Sequence, residues 1–394
     1  MCVCSSLYII YSVVNDHDAR TKLLIGLIRL YSMANLNDII KAFEEALDCW
    51  GLVFSGSEGL KTIPPAKVQE PLKELVKVAK LIKAHTTKVG IIFEPSKLAQ
   101  LSDAAYTTVS DLSKSFVLYM SVVAQLSPDK ISSLFYKEIL NSSHTLVSTA
   151  ASLTAELKVL NDKSGKSSDD KKNTEVDVRL ISVGKVWNAC DELVKLVENG
   201  NLKFLEKKTR LQLSLIEDGL DEFSEWAENP EEFDLVDPFG LDEFSEEDEE
   251  DGEDAEDAKV PVPDDGESTS SLAAEATMLK LSRFSKQWVQ KFKLIKLLFL
   301  SINKSLPSIV NGTDIDEIYN TESIISKEAD LLIVELMMSH SLTEDVTEHS
   351  IAVDKACSKI LSILKKANKN SDNKTKWCSS WEIKYKEMLE AMYD

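Results

Sequence analysis

One apolar pattern dominates the chain and restricts it to helices. Apolar side chains recur at alternating intervals of three and four residues, which places them on one face of a helix. Only 13 glycines and 10 prolines occur in 394 residues, so few positions interrupt the pattern. We therefore predict an all-α protein built from two antiparallel helical bundles. The longest stripe covers seven turns and comprises Leu98, Leu101, Ala105, Val109, Leu112, Phe116, Met120 and Val123.

A strongly acidic segment, residues 217–267, divides this helical pattern. It contains 25 aspartates and glutamates and one basic residue, Lys259, so it carries a charge of −24 in a chain whose net charge is −21. Its densest run, residues 246–254, cannot form a packed core and should stay solvated. The sequence thus predicts one bundle over residues 35–227 and another over residues 270–394. An acidic and largely disordered linker, residues 228–269, would join them.

The N-terminal extension, residues 1–34, has no clear structural assignment. Its two apolar runs, residues 7–14 and 23–30, are each shorter than the roughly 20 residues that span a bilayer. No positive charge precedes the first run, as it would in a secretory signal. One hypothesis is that Met33 is the natural start, because the sequence from Asn35 to Asp38 then opens a helix with good capping residues.

No candidate motif for catalysis or metal binding has the spacing that its chemistry requires. Residues 164–167 read Ser-Gly-Lys-Ser, like the end of a phosphate-binding loop, but Leu160 stands where that loop needs a glycine. The S-x-x-K sequence at residues 301–304 and the S-D-N sequence at residues 371–373 match two motifs of penicillin-recognising hydrolases, yet the required K-T-G is absent. The five histidines lack metal-ligand spacing, and the six scattered cysteines are typical of a reducing compartment. We predict a protein that is not an enzyme and has no cofactor or metal.

Two segments remain as candidates for partner binding. The acidic segment carries spaced aromatic residues, as disordered interaction segments do, and a solubilising linker is an equally good interpretation. The basic helix, residues 278–306, has seven basic residues and no acid. It could bind an anionic partner, or it could be a core helix with a solvated lysine face. The predicted partner-binding residues are Phe223, Trp226, Phe233, Phe239, Phe244, Lys280, Arg283, Lys286, Trp288 and Lys291.

The order of these features resembles the GCIP family, a family of cyclin-D-binding proteins that are antagonists of helix–loop–helix factors. The closest local match is Ser182–Cys190, which fits the pattern S-V-x-x-V-W-x-A-C. The sequence Asp-Pro-Phe-Gly-Leu at residues 237–241 and the acidic run before the C-terminal helices support the match. The resemblance covers residue 35 to about residue 370 and leaves out the first 32 residues.

This resemblance implies an all-helical regulator without catalytic residues, present in the nucleus and the cytoplasm. Its implied partner is a helix–loop–helix or cyclin-like protein, whose activity in cell-cycle or transcription control it would dampen. A pI near 4.8 argues against direct binding to nucleic acid. The alternative is a peripheral membrane or anionic-partner-binding adaptor that uses the basic helix, residues 278–306, as its contact.

The adjacent opposite charges also predict an intramolecular clamp between the acidic segment and the basic helix. Deleting residues 242–258 should raise the affinity for anionic partners at low salt, because a tethered acidic run competes at an effective concentration in roughly the millimolar range. Phosphorylation of Ser245, which heads the acidic sequence Ser-Glu-Glu-Asp, would add about −1.5 to −2 charges and tighten the clamp. An affinity that the deletion leaves unchanged would contradict this prediction.

Overall fold

The structure is a computed structural model that describes residues 35–54, 59–164, 178–228, 230, 267–309 and 311–393. These residues form α-helices with short connections, and no strand occurs among them, which confirms the all-α prediction. The predicted N-terminal extension and most of the acidic linker lie outside the described residues. In chain order the helices are α1 (Leu36–Val53), α2 (Pro71–Ile92), α3 (Ser102–Gln125), α4 (Ser133–Ser164), α5 (Val178–Glu228), α6 (Glu267–Ser305), α7 (Gly312–Ser339), α8 (Glu344–Ala367) and α9 (Asp372–Tyr393).

The chain divides into two compact units, and the first unit ends at Phe204. In this unit α1 to α4 and the beginning of α5 enclose an apolar core. Phe43 of α1 contacts Phe116 of α3 with ring centroids 5.6 Å apart, and Trp50 stacks on Phe116 at 6.5 Å. The predicted stripe on α3 is buried at Ala105, Val109, Leu112, Phe116, Met120 and Val123.

The beginning of α1 follows a local capping rule. Asn35 caps α1, because its side chain accepts a hydrogen bond from the Asp38 amide at 3.0 Å. The seven-turn stripe is not one continuous helix, however. Leu98 lies in a separate 3₁₀ turn, Leu98–Gln100, and α3 begins only at Ser102. A 3₁₀ turn before an α-helix leaves the apolar spacing nearly unchanged, so the spacing alone cannot reveal it.

Helix α5 is broken at Gly200, whose φ of 75° lies in the left-handed region that glycine adopts readily. The sequence predicts separate helices on either side of this point and assigns both to a first bundle that ends at residue 227. The compact units divide instead after Phe204. The physical reason is packing, because the Phe223 ring lies 6.0 Å from the Phe292 ring of α6. The second part of α5 therefore belongs to the second unit.

Helix α6 supplies much of the core of the second unit. Trp288, Phe292 and Phe299 are among the largest fully buried side chains of the described residues. The aromatic face that the sequence predicts for this helix is thus covered by α-helices of its own unit, while most of its basic residues stay exposed. Of the two interpretations of the basic helix, the core helix with a solvated lysine face agrees with this packing.

One lysine of α6 nevertheless lies inside the core. The Lys291 ammonium nitrogen is 2.7 Å from Oδ1 of Asp354 on α8 and 3.7 Å from the centre of the Trp288 ring. The Tyr385 hydroxyl of α9 donates to the same Asp354 oxygen at 2.6 Å. Burial lowers the pKa of Lys291, and the Asp354 carboxylate opposes that shift. One carboxylate therefore connects α6, α8 and α9.

We predict that Asp354→Ala destabilises the protein by about 3–5 kcal/mol, because it leaves the Lys291 charge buried without its partner. Adding Lys291→Met should restore part of this loss, since the buried charge is then gone. Glu74→Ala is the control. Glu74 pairs with Lys77 at 3.0 Å on the surface of α2, and such an exposed pair should contribute about 1 kcal/mol or less to the free energy of unfolding. Urea unfolding followed by circular dichroism measures all three, and equal losses for Asp354→Ala and Glu74→Ala would contradict the prediction.

A buried carboxyl in the second unit has no comparable partner. Glu322 of α7 is fully buried, and neither of its carboxyl oxygens has a hydrogen-bond partner among the described residues. The buried hydroxyl of Thr209 on α5 makes no hydrogen bond of good geometry, but it lies close enough to Glu322 to favour the ionised carboxylate. Burial raises the pKa of Glu322 to about 8, and the Thr209 hydroxyl only partly opposes the shift. Glu322 is therefore mostly neutral at pH 7.

We predict that Glu322→Gln stabilises the protein and that the gain depends on pH. Between the ordinary carboxyl pKa of 4.5 and the folded value of about 8, the unfolded chain loses the Glu322 proton while the folded protein keeps it. The wild-type stability therefore falls as the pH rises through this window, whereas glutamine does not ionise. The gain should be small at pH 4.5 and on the order of 4 kcal/mol at pH 8, given about 1.4 kcal/mol per pKa unit. Denaturant unfolding at several pH values measures it, and a gain that does not change with pH would contradict the assignment.

Candidate protein-interaction site

The predicted contact residues of the acidic segment do not form a surface in the described part of the chain. Phe233, Phe239, Phe244 and the predicted phosphorylation site Ser245 lie outside the described residues. Phe223 and Trp226 are described, and both are fully buried in the second unit. The Trp226 ring lies 5.8 Å from the ring of His340. The prediction that these two side chains contact a partner is corrected: they stabilise the fold.

The basic helix keeps only part of its predicted contact surface. Lys280, Arg283 and Lys286 are exposed on α6, but Trp288 and Lys291 are buried and are corrected in the same way. A one-sided aromatic stripe is equally compatible with a core face and with a binding face, so sequence alone could not separate the two.

Two basic residues of α6 pair with acids from the described beginning of the acidic segment. Lys286 lies 3.3 Å from Glu228, and Lys296 lies 2.5 Å from Glu217. All four side chains are partly exposed, so each pair contributes little to stability. The dense acidic run of the predicted clamp lies outside the described residues, and the clamp stays a prediction.

A different surface, on α4 in the first unit, has the composition of an interface. Residues 139–155 contain no aspartate, glutamate, lysine or arginine, in a chain that is 28% charged. Its exposed positions include Asn141, Thr145, Ser148 and Ser152. Helix surfaces that face only water are normally charged, and depletion of charge is characteristic of the centres of protein interfaces.

The hydroxyl groups on this face are already satisfied within the helix. Thr145 donates to the Asn141 carbonyl at 3.1 Å, Thr149 to the Leu146 carbonyl at 2.9 Å, and Ser152 to the Ser148 carbonyl at 3.1 Å. Covering these side chains would therefore leave few donors without a partner, and the desolvation cost would be small.

The neighbouring part of α5 adds exposed apolar side chains to this face. The motif Ser182–Cys190 lies here, and its Val183, Val186 and Cys190 are buried in the core. Around them, Ile181 is 47% exposed and Trp187 is 36% exposed. A helix of the first unit thus presents large apolar groups beside the uncharged face of α4.

Together these two helices form a shallow groove of about 570 Å³, here called the α4/α5 groove. At its floor Gly184 faces open space, since a Cβ added there would meet no atom within 4 Å. Glycine inside a helix costs roughly 0.5–1 kcal/mol relative to alanine. No contact within the described fold requires glycine at this position. Because glycine has no side chain, the backbone of a binding partner could approach closely there. The groove is lined by Ser142, Thr145, Thr149, Ile181, Gly184, Lys185, Asn188, Ala189 and Glu192.

The sequence prediction missed this groove, although one signal of it is visible in the printed chain. The run without charge on α4 is local and countable. The exposure of Ile181 and Trp187 could not be read in the same way, because their spacing relative to Val183 and Val186 does not say which of the two faces is covered.

Metal-ligand clusters and buried thiols matter in the described ranges, because each could support chemistry at a site. No group of three or more His, Cys, Asp or Glu side chains in those ranges could hold a metal ion. Burial raises the pKa of Cys190 and of Cys357 to about 12 each, so both thiols stay protonated. A separate test of the same residues found no helix with the length and apolar character to cross a membrane.

Comparisons with known proteins give this geometry a context. Residues 74–229 match the family model described as Grap2 and cyclin-D-interacting, N-terminal, a span that contains the whole α4/α5 groove. The chain is 27% identical over 333 residues to an uncharacterized protein of Saccharomyces cerevisiae, which covers 81% of this chain and 86% of that protein. It is 22% identical over 355 residues to an uncharacterized protein of Schizosaccharomyces pombe, which covers 89% and 94%, respectively. The similarity therefore extends through both units.

Proposed function

Because the chain belongs to the GCIP family of Grap2- and cyclin-D-interacting proteins, we propose that it is a non-enzymatic regulator that acts by binding another protein. The partner that the family suggests is a D-type cyclin, and a helix–loop–helix factor is the second candidate. Binding would dampen the partner's activity in cell-cycle or transcription control. We place this role in the nucleus and the cytoplasm.

The observation that carries the proposal is the α4/α5 groove. It lies inside the matched span, it lacks charge on the α4 side, and it exposes Ile181 on the α5 side. Aromatic and aliphatic anchors that become buried supply most of the affinity at interfaces of this kind. Lys185 and Glu192, of opposite charge along the groove, would fix the orientation of the partner.

The competing function, a peripheral membrane or anionic-partner adaptor, is less well supported. An interfacial helix inserts its apolar face into the membrane, but Trp288, Phe292 and Phe299 of α6 are buried in the second unit. The feature that still favours an anionic ligand is a shallow pocket that includes Arg283, Lys286 and the exposed Leu279. Flotation with anionic vesicles tests this alternative, which requires the protein to float with the lipid.

We predict that Gly184→Leu weakens binding to a purified D-type cyclin by about tenfold or more, because a leucine side chain would fill the groove. The fold should tolerate the change, since open space surrounds the position, and a better helix former should maintain or raise the melting temperature. Isothermal titration calorimetry measures the affinity, and calorimetric unfolding measures the stability.

Gly51→Leu is the matched control. Gly51 is also helical and also faces open space, but it lies on α1 outside the groove, so binding should change by less than about twofold. A second pair, Ile181→Glu against Leu118→Glu, compares two exposed apolar positions in the first unit. Wild-type protein that does not bind the cyclin would refute that partner, and normal binding by both Gly184→Leu and Ile181→Glu would refute the surface.

A further inference from the structure

The unpaired Glu322 lies beside a cleft of the second unit. This cleft, here called the α5/α7 pocket, has a volume of about 290 Å³ and lies between the second part of α5 and α7. Glu322 directly precedes the lining residue Ser323, and Thr209 lies one turn before the lining residue Gln212. Neither group lines the pocket itself, but Glu322 lies one helical turn before the lining residue Ser326, so both buried groups lie behind the polar end of the pocket.

The two ends of the α5/α7 pocket differ in chemistry. The end next to Glu322 is polar and includes Gln212, Ser323 and Ser326. The rest of the wall is mainly apolar, with contributions from Leu215, Ile216, Phe292, Ala329 and Ile333. A ligand that fits must therefore carry one polar group on an aliphatic stem.

The hydrogen bonds that close the polar end are long. Gln212 Nε2 donates to the Ser323 hydroxyl at 3.4 Å, and the Ser326 hydroxyl reaches the Gln212 carbonyl at 3.5 Å. Both distances are at the upper limit for a hydrogen bond, so little free energy opposes entry of a competing donor. The entering group would meet oxygen atoms of Gln212, Ser323 and Ser326 before it reaches Glu322.

The buried carboxyl selects among polar groups by charge. Glu322 is mostly protonated in the protein alone, and only a cation would stabilise its ionised form. An anion would be repelled by that form, and a neutral ligand would leave the carboxyl protonated. An ammonium group has three donors, which suit a carboxylate together with neighbouring hydroxyl oxygens. The charges at the rim come from Lys327 and Asp330, one of each sign, while the nearby Glu217 of α5 is already paired with Lys296. Glu322 is thus the buried acid next to this cleft, and no counter-ion lies within hydrogen-bond distance of it among the described residues.

We propose that the α5/α7 pocket binds a primary ammonium group on an aliphatic stem, presented as a lysine side chain by a partner protein, with Glu322 as its counter-ion. The stem contacts Ile216, Phe292 and Ile333, and the ammonium donates to Glu322 and to the Thr209 hydroxyl. Binding releases a proton, because the carboxyl is mostly protonated before the cation arrives. This site is in the second unit and does not depend on the α4/α5 groove.

The test uses n-butylammonium chloride as a probe on the full-length protein, with 1-butanol as a neutral probe of similar shape and sodium chloride to match ionic strength. Shifts of amide signals in the second unit report binding, which should be in roughly the millimolar range for so small a ligand. The ammonium should bind more tightly than the alcohol at pH 8. Its affinity should rise about tenfold or more from pH 6 to pH 8, since only Glu322 changes ionisation while the amine stays protonated.

Two variants separate the proposed counter-ion from general attraction by the acidic surface. Glu322→Gln should bind the ammonium no better than the alcohol and should lose the pH dependence. Glu348→Gln makes the same chemical change at an exposed position of α8 that does not line the pocket, and it should keep both properties. Equal binding of the two probes by wild type, or ammonium-specific binding that survives in Glu322→Gln, would overturn the proposal.

A last comparison identifies the source of the ammonium group. Nα-acetyl-lysine N-methylamide should compete with butylammonium, and its Nε-acetylated form, which has lost the charge, should not. If the free diamine putrescine bound about tenfold more tightly than the lysine derivative, the natural ligand would be a small amine and the assignment to a partner's lysine would be wrong. Failure of cyclin binding at the α4/α5 groove would leave all of these results unchanged, so the two proposals fail separately.

Discussion

Every helix of this protein has an apolar face that must be removed from water, and the rest of the structure depends on how those faces cover one another. A single helix taken out of this protein would be only marginally stable in water. Burial of a side chain such as Val109 or Phe292 stabilises the folded state by roughly 1.5–3 kcal/mol. α3 in the first unit and α6 in the second each bury a nearly complete stripe. Several large apolar side chains stay exposed after this covering, and Ile181 differs from the others in that it lines the α4/α5 groove.

The polar side chains of the two units differ in how completely they are paired by hydrogen bonds or by opposite charges. The hydroxyls on α4 donate to carbonyls of their own helix, so that face can be covered at little cost. Lys291 is buried but shares Asp354 with Tyr385, which makes it a stabilising contact between helices. Glu322 has no such partner among the described residues. The paired hydroxyls on α4 favour binding, and the Lys291–Asp354 pair favours stability. The carboxyl of Glu322 lacks a counter-ion, which a ligand can supply.

The boundary between the units shows where local patterns lose their predictive value. The helices on both sides of Gly200 follow from apolar spacing, which is a property of neighbouring residues. Their assignment to units depends on contacts such as Phe223 with Phe292, between residues far apart in the chain. For the same reason the aromatic residues Phe223, Trp226 and Trp288 were predicted to contact a partner, whereas the tertiary structure buries them.

The sequence by itself determined the all-helical class, the approximate position of each described helix, the confinement of net negative charge to one segment, and the resemblance to the GCIP family. These are properties of spacing, composition and short motifs, and they do not require knowledge of which helices meet. Only the tertiary structure decided that Ile181 stays exposed while Val183 is buried, and that Glu322 remains unpaired while Lys291 finds Asp354. The physical reason is that burial and charge pairing depend on the atoms that neighbouring helices bring together, and a single helix does not contain that information.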